Sequence, residues 1–191
     1  MSVPQLYLAS ASPRRRELLA LLDYSFEVLP ADIPEERMPN EKPTDYVQRL
    51  AMQKSQAVWH QLNGAYPVLG SDTIVVFGEE VLEKPKDFAD AQRILRLLSD
   101  NTHIVMTAIA ISCEAACHVE LVTTDVTFRA FSDAEIDAYW KTGEPADKAG
   151  SYGIQGRGGK FVRHLSGSYS AVVGLPLLET DALLKRYCHP A

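Results

Sequence analysis

QLYLASASPRRRELLALL, residues 5–22, decides the fold class. Its first six residues are short and apolar, which reads as a buried strand over Gln5–Ser10. Ser12 suits an N-cap and Pro13 the first helical position, so a helix starts there. Leu18, Leu19, Leu21 and Leu22 then form its inward stripe. A strand feeding a helix, with strand-like Phe26–Leu29 next, opens an alternating α/β chain.

The pattern continues outward from this unit. PADIPEERMPNEKP reads as an exposed acidic loop, and a helix follows from Thr44 to about Leu62. Val47, Leu50, Ala51 and Val58 mark its apolar face, and Lys54 falls on that same face, four residues from Leu50 and from Val58. Strands are expected at Pro67–Gly70, Thr73–Phe77 and Val81–Glu83, and a helix at Phe88–Leu98. Long strand runs cover His103–Ser112 and Val119–Phe131. Ser132 with Glu135 forms a capping box for a helix ending near Gly143. After a glycine-dense stretch, Gly150–Gly159, two short strands and a helix at Leu177–Tyr187 end the pattern. Strands clustering after early alternation predict a mixed sheet in one domain, residues 1–191, with no repeat and no linker.

The chain has 191 residues and 46% hydrophobic content, ordinary for a globular protein. A net charge of -6 argues against a nucleic-acid surface, so any bound anion needs a local cluster of cations. Three cysteines, Cys113, Cys117 and Cys188, suggest reduced thiols and a cytoplasmic protein. No apolar run is long enough for a membrane span, and MSVPQLYLAS does not read as a signal peptide. The histidines, His189 among them, show no HExxH spacing, and the cysteines no zinc-finger spacing.

Several residues stand out chemically. Arg14, Arg15 and Arg16 put positive charge where a helix dipole is already positive. Either they are solvated, or an anion such as phosphate lies among them. Lys54 either snorkels to water or holds the same anion. Asp72 interrupts two apolar runs, as a turn-former or as a carboxylate aimed at a cleft. AGSYGIQGRGGKFV fits neither a Walker loop nor the dinucleotide fingerprint. It is a hairpin connection, or a backbone that approaches a flat ligand with Gln155 beside it.

LASASPRR, RLAMQKSQAV, GSDT, LEKP, TDVTF, DKAGSYGIQGRGG and VVGLP occur in the order found in the Maf family of nucleoside triphosphate pyrophosphatases, which the chain resembles from Leu6 to about Leu184. The resemblance implies an elongated α/β fold, a mixed central sheet flanked by helices, with two lobes around a nucleotide-binding cleft. It implies hydrolysis of a nucleoside triphosphate to the monophosphate and pyrophosphate with a divalent cation, Mg or Mn. Arg14, Thr73 and Gln155 resemble the branch acting on dTTP and UTP, where these positions set specificity. Modified uridine nucleotides are further candidate substrates. Ser10, Arg14, Arg15, Lys54 and Lys84 are the implied substrate contacts, Asp72 the proton acceptor, and Glu35 with Asp72 the metal carboxylates. Pro34 stands where an acid is common, which leaves Glu35 as the functional carboxylate to within one residue of register. The expected partner is the nucleotide, without nucleic acid or membrane, and a homodimer is the assembly to test. A nucleotide-sensing regulator of division without rapid turnover is the alternative; it has no need of a water-activating Asp72.

Overall fold

A computed structural model describes residues 4–114 and 116–188, so His189 and the first three residues lie outside the described chain. β1 (Leu6–Leu8) pairs in parallel with β2 (Phe26–Val28) and with β3 (Val68–Phe77). β4 (Glu80–Leu82) is antiparallel to β3. β5 (Thr102–Cys113) and β6 (Ala116–Phe128) follow, and β7 (Val162–Ser166) is antiparallel to β6. The seven strands form one mixed sheet in the order β2-β1-β3-β5-β6-β7, with β4 attached to β3. The helices are α1 (Pro13–Leu19), α2 (Pro43–Gln61), α3 (Phe88–Leu98), α4 (Asp133–Trp140), α5 (Tyr169–Val173) and α6 (Leu177–Tyr187). The expected mixed α/β fold, a sheet with flanking helices, is what the chain adopts.

Four local expectations need correction. Leu21, expected on the inward stripe, is 64% exposed, because α1 ends at Leu19 and the chain tightens into a 3-10 turn over Ala20–Leu22. Ser12 stands at the N-cap of α1 with Pro13 behind it, but its side chain makes no cap bond. Its backbone N–H instead donates to Ser10 Oγ at 3.2 Å, which turns the connection through Ser10. The break expected at Asp72 is absent, because β3 runs straight through it. A buried carboxylate is tolerable in a strand only when it is paired, and Lys54, 18 residues earlier, supplies the pair. One of the two late strands is instead the short helix α5, where Ser168 Oγ accepts from the Ala171 N–H at 3.2 Å. That hydroxyl starts a helical turn in spite of the β-branched Val172 and Val173.

The chain divides into two compact units. The first takes in residues up to Asp72, Thr107–Val122 and those from Gly174 on; the second takes in Thr73–Met106 and Thr123–Val173. In the first unit, Ala9, Val58 and Val68 pack with Tyr7, Leu29 and Trp59. In the second, Val75, Leu95, Val126, Phe128, Tyr139, Tyr152 and Phe161 share one core. Its helices start where expected: Asp87 Oδ1 accepts from Asp90 N at 2.9 Å, and Ser132 with Glu135 completes the capping box. No helix among the described residues is long and apolar enough to cross a membrane, and all three cysteines are free thiols.

That second core holds a histidine with a pH consequence. His103 is 1% exposed, its Nε2 lies 2.9 Å from the Tyr152 hydroxyl, and Nδ1 has no partner among the described residues. Burial pulls its pKa from 6.5 down to about 4. The unfolded chain therefore binds the proton more readily, so this contribution to stability is complete above the unfolded pKa and is lost as the pH falls. Between pH 6.5 and 5 the loss should reach about 1–2 kcal/mol for the drop to about 4. His103→Phe, which keeps an aromatic ring against Phe128, should flatten that stretch of a plot of unfolding midpoint against pH.

Candidate functional site

In the first unit the site is built on β3 and α2. α2 buries Tyr46, Val47, Leu50, Ala51, Lys54, Ser55 and Val58, so Lys54 does sit on the apolar face. Gly70 allows that face to lie directly on β3. A Cβ at Gly70 would meet the Ala51 carbonyl oxygen and come within 2.7 Å of the Ser55 backbone nitrogen. Ser55 Oγ fastens the contact by donating to the Val68 carbonyl at 2.7 Å. Side chains alternate along a strand, so Asp72 points to the same face as Gly70. Lys54 is therefore delivered onto Asp72.

The Lys54 ammonium does not snorkel. It lies 2.8 Å from Asp72 Oδ1 and 2.8 Å from Glu35 Oε1. The Lys54 and Asp72 side chains are each 9% exposed, whereas Glu35 is 51% exposed and forms the wet edge of the fork. Among the described residues no hydrogen bond reaches Asp72 Oδ2. In the acidic loop it is the Glu35 carboxylate that reaches Lys54.

The loop bearing Glu35 is held by the same helix that carries Lys54. The Tyr46 hydroxyl donates to the Glu35 carbonyl at 2.7 Å, and Arg49 Nη2 donates to the Glu36 carbonyl at 2.9 Å. Arg49 also grips Glu41 at 2.6 Å. That hydrogen bond holds the Glu41 carboxylate down at about 2. The sequence reading missed these anchors, because a bond to a backbone carbonyl leaves no residue pattern to search for.

Arg15 joins the cluster. Its Nε donates to the Gly174 carbonyl at 2.9 Å and its Nη1 to Ser10 Oγ at 3.3 Å. Ser71 Oγ donates to the same Gly174 carbonyl at 3.0 Å. Desolvation lowers the Arg15 pKa, opposed by the fields of Asp72 and Glu35. Arg15 therefore lies within electrostatic reach of both carboxylates. Arg14 is partly buried, pushes against Arg15, and makes no side-chain bond among the described residues. α1 has only seven residues, so the arginines, more than a helix dipole, supply the positive field. Ser10, Arg15, Lys54, Glu35 and Asp72 are thus brought together within one unit. Gly174 and Ser71 were not singled out, although VVGLP and GSDT contain them.

The remaining candidates belong to the second unit. Thr73 is partly buried on the strand face opposite Asp72, the face shared by Val75. Lys84 is exposed just after β4, and the Gly150 N–H donates to the neighbouring Glu83 carbonyl at 3.2 Å. Gln155 is exposed, and its amide makes no hydrogen bond among the described residues. Those residues contain no cluster of three or more His, Cys, Asp or Glu able to hold a metal by themselves.

Comparison with known proteins agrees with these motifs. A dTTP/UTP pyrophosphatase of Vibrio cholerae is 53% identical over 98% of this chain and 100% of its own length. A dTTP/UTP pyrophosphatase of Yersinia pestis is 57% identical over 95% of this chain and 92% of its own. Among solved structures, the Staphylococcus aureus Ham1 protein is 17% identical, with a TM-score of 0.46 over 64% of this chain and 71% of that one. The Maf family, described as Maf-like protein, matches residues 5–187, and the chain belongs to it.

Proposed function

We infer that the chain acts as one Maf-like domain, residues 1–191, and hydrolyses dTTP and UTP to the monophosphate and pyrophosphate. The relatives at 53% and 57% identity support the substrate class by name. The observation that carries the chemistry is the Lys54 fork, 2.8 Å from both Asp72 and Glu35 and within the field of Arg15. A pure nucleotide sensor, the alternative, is not favoured, since it needs no carboxylate held beside a cation cluster.

In this reading Ser10, Arg14, Arg15, Lys54 and Lys84 hold the phosphate chain. Arginine suits phosphate oxygens because its planar fork donates two bonds at once. Asp72 Oδ1 stays on Lys54, and Oδ2 takes a proton from water. The water oxygen bonds to the α-phosphorus, the bond from that phosphorus to the bridging oxygen breaks, and pyrophosphate leaves. The work of the side chains is placement and charge stabilisation.

A divalent cation fits the donor set. Glu35 and Asp72 already share one cation, the Lys54 ammonium, and Mg uses one or two carboxylates together with substrate phosphates. Glu35, joined by Asp72 if Asp72 serves as a metal carboxylate in place of the base, would hold Mg or Mn, a cation that would neutralise phosphate charge and favour pyrophosphate as a leaving group. Measuring pyrophosphate release from each nucleoside triphosphate, with Mg and with Mn, tests the reading. Release from dTTP and UTP no faster than from purine nucleotides would end it.

Gln155 is assigned to the base. Uracil and thymine present a carbonyl, an N–H and a carbonyl, and one amide matches two of these groups with a donor and an acceptor. Pyrimidines modified away from that edge remain acceptable on the same logic. Gln155→Glu replaces the donor by an acceptor, so kcat/KM for dTTP and UTP should fall about 10- to 100-fold while CTP, with its amino donor, loses less. Kinetics on the three nucleotides decide it.

A further inference from the structure

We propose that Glu144 is a specificity-positioning residue, whose carboxylate, together with the Tyr139 hydroxyl, fixes the loop that presents Gln155. The proposal deepens the assignment of Gln155 to the base and rests on it.

The geometry lies wholly inside the second unit. Gln155 sits between two anchored pieces of backbone. On one side the Gly153 N–H donates to the Tyr139 hydroxyl at 3.1 Å. On the other the Arg157 N–H donates to Glu144 Oε2 at 2.8 Å, and the Gly158 N–H to Glu144 Oε1 at 3.0 Å. The Tyr139 hydroxyl then donates to Glu144 Oε1 at 2.7 Å, which joins the two anchors. Tyr139 is 1% exposed and packs against Phe161, so the platform under the loop is rigid.

The glycines acquire a reason from this arrangement. A Cβ at Gly156 would run into Glu144 Oε2 and come within 2.6 Å of Oε1. The residue after Gln155 therefore lacks a side chain so that the carboxylate can lie beneath the turn. Burial raises the Glu144 pKa, but the bonds from Tyr139, Gly158 and Arg157 outweigh it and keep the group ionised. Bonds from N–H and O–H to an ionised carboxylate are stronger than neutral ones, so one side chain sets the whole turn. The Gln155 amide makes no hydrogen bond of its own to the described residues, so its aim comes from backbone that Glu144 and Tyr139 hold. A ring edge is read within a few tenths of an ångström, and a loosened loop loses discrimination before it loses the reaction.

The test is kcat and KM for dTTP, UTP and CTP in Glu144→Gln, Tyr139→Phe, Gln155→Glu and the double variant of Glu144→Gln with Gln155→Glu, with unfolding midpoints alongside. Glu144→Gln turns an amide toward the Arg157 N–H. It should lower the preference for dTTP over CTP at least fivefold, mainly through KM. Tyr139→Phe should do the same to a smaller extent and gives a second reading if Glu144→Gln folds poorly. The double variant should be no less selective than Gln155→Glu alone, because both changes act on one contact. If Glu144→Gln and Tyr139→Phe slow all three nucleotides equally while Gln155→Glu shifts the preference, Glu144 is structural and the proposal is overturned with the Gln155 reading intact. If Gln155→Glu leaves the preference unchanged, the base assignment falls and the proposal falls with it.

Discussion

Asp72→Asn should lower pyrophosphate release from dTTP by about 10²–10⁴-fold while the protein stays folded, the span expected when a positioned general base is lost. The fold survives because Asn keeps the volume of Asp on β3 and its carbonyl still accepts from Lys54. Removing one partner of a buried pair ordinarily costs about 3–5 kcal/mol, since a charge is left without compensation. Here Lys54 retains Glu35 at 2.8 Å, so the stability loss should be well below that range. The rate loss follows from chemistry: an amide cannot take a proton from water at neutral pH. One further readout separates a base from a metal carboxylate: excess Mn does not restore the rate when a base is lost. Recovery of the rate with excess Mn would assign Asp72 to the metal, and a rate within tenfold of the parent would remove it from the chemistry altogether.

What could be read in the sequence was local. α3 and α6 fall at their expected bounds, Phe88–Leu98 and Leu177–Tyr187, because their apolar spacing lies within one window, as does the Ser132–Glu135 capping box at the start of α4. Lys54 was legible for the same reason, as a cation on the apolar face of α2. The split of β3 at Asp72 was misread because its justification lies on another element: the partner that makes a buried carboxylate acceptable is Lys54 on α2. Glu35 came only from resemblance, since an acidic loop offers Glu35, Glu36 and Glu41 with nothing local to rank them. The structure ranks them by what each grips, Lys54 for Glu35 and Arg49 for Glu41. Glu144 and Tyr139 were not singled out, because apart from each other their hydroxyl and carboxylate meet backbone N–H groups, which every residue but proline has. The glycines around Gln155 lie against groups of this chain, the Glu144 carboxylate at Gly156 and the Tyr139 hydroxyl with backbone atoms at Gly158.

Gly70→Ala should cost both stability and rate, and the size of the second effect tests how the site is assembled. The added methyl meets the Ala51 carbonyl oxygen and lies 2.7 Å from the Ser55 backbone nitrogen, so neither neighbour can give way by a simple rotamer change. The helix must lift. Forcing a methyl into a well-packed contact of this kind costs about 1–3 kcal/mol, read as a lowered midpoint in denaturant with an unchanged slope. Lys54 lies on the lifted segment, next to Ser55, and moves with it. A displacement of about 1 Å in a positioning group is enough for about a 10²-fold loss of rate. The loss should appear at temperatures where the variant is fully folded, and it should add little to that of Asp72→Asn, since both break the same Lys54–Asp72 contact. A folded Gly70→Ala protein of normal rate would mean that Lys54 is not held on Asp72 by the seating of α2 on β3, and the account of the fork would have to be rebuilt from the Glu35 loop instead.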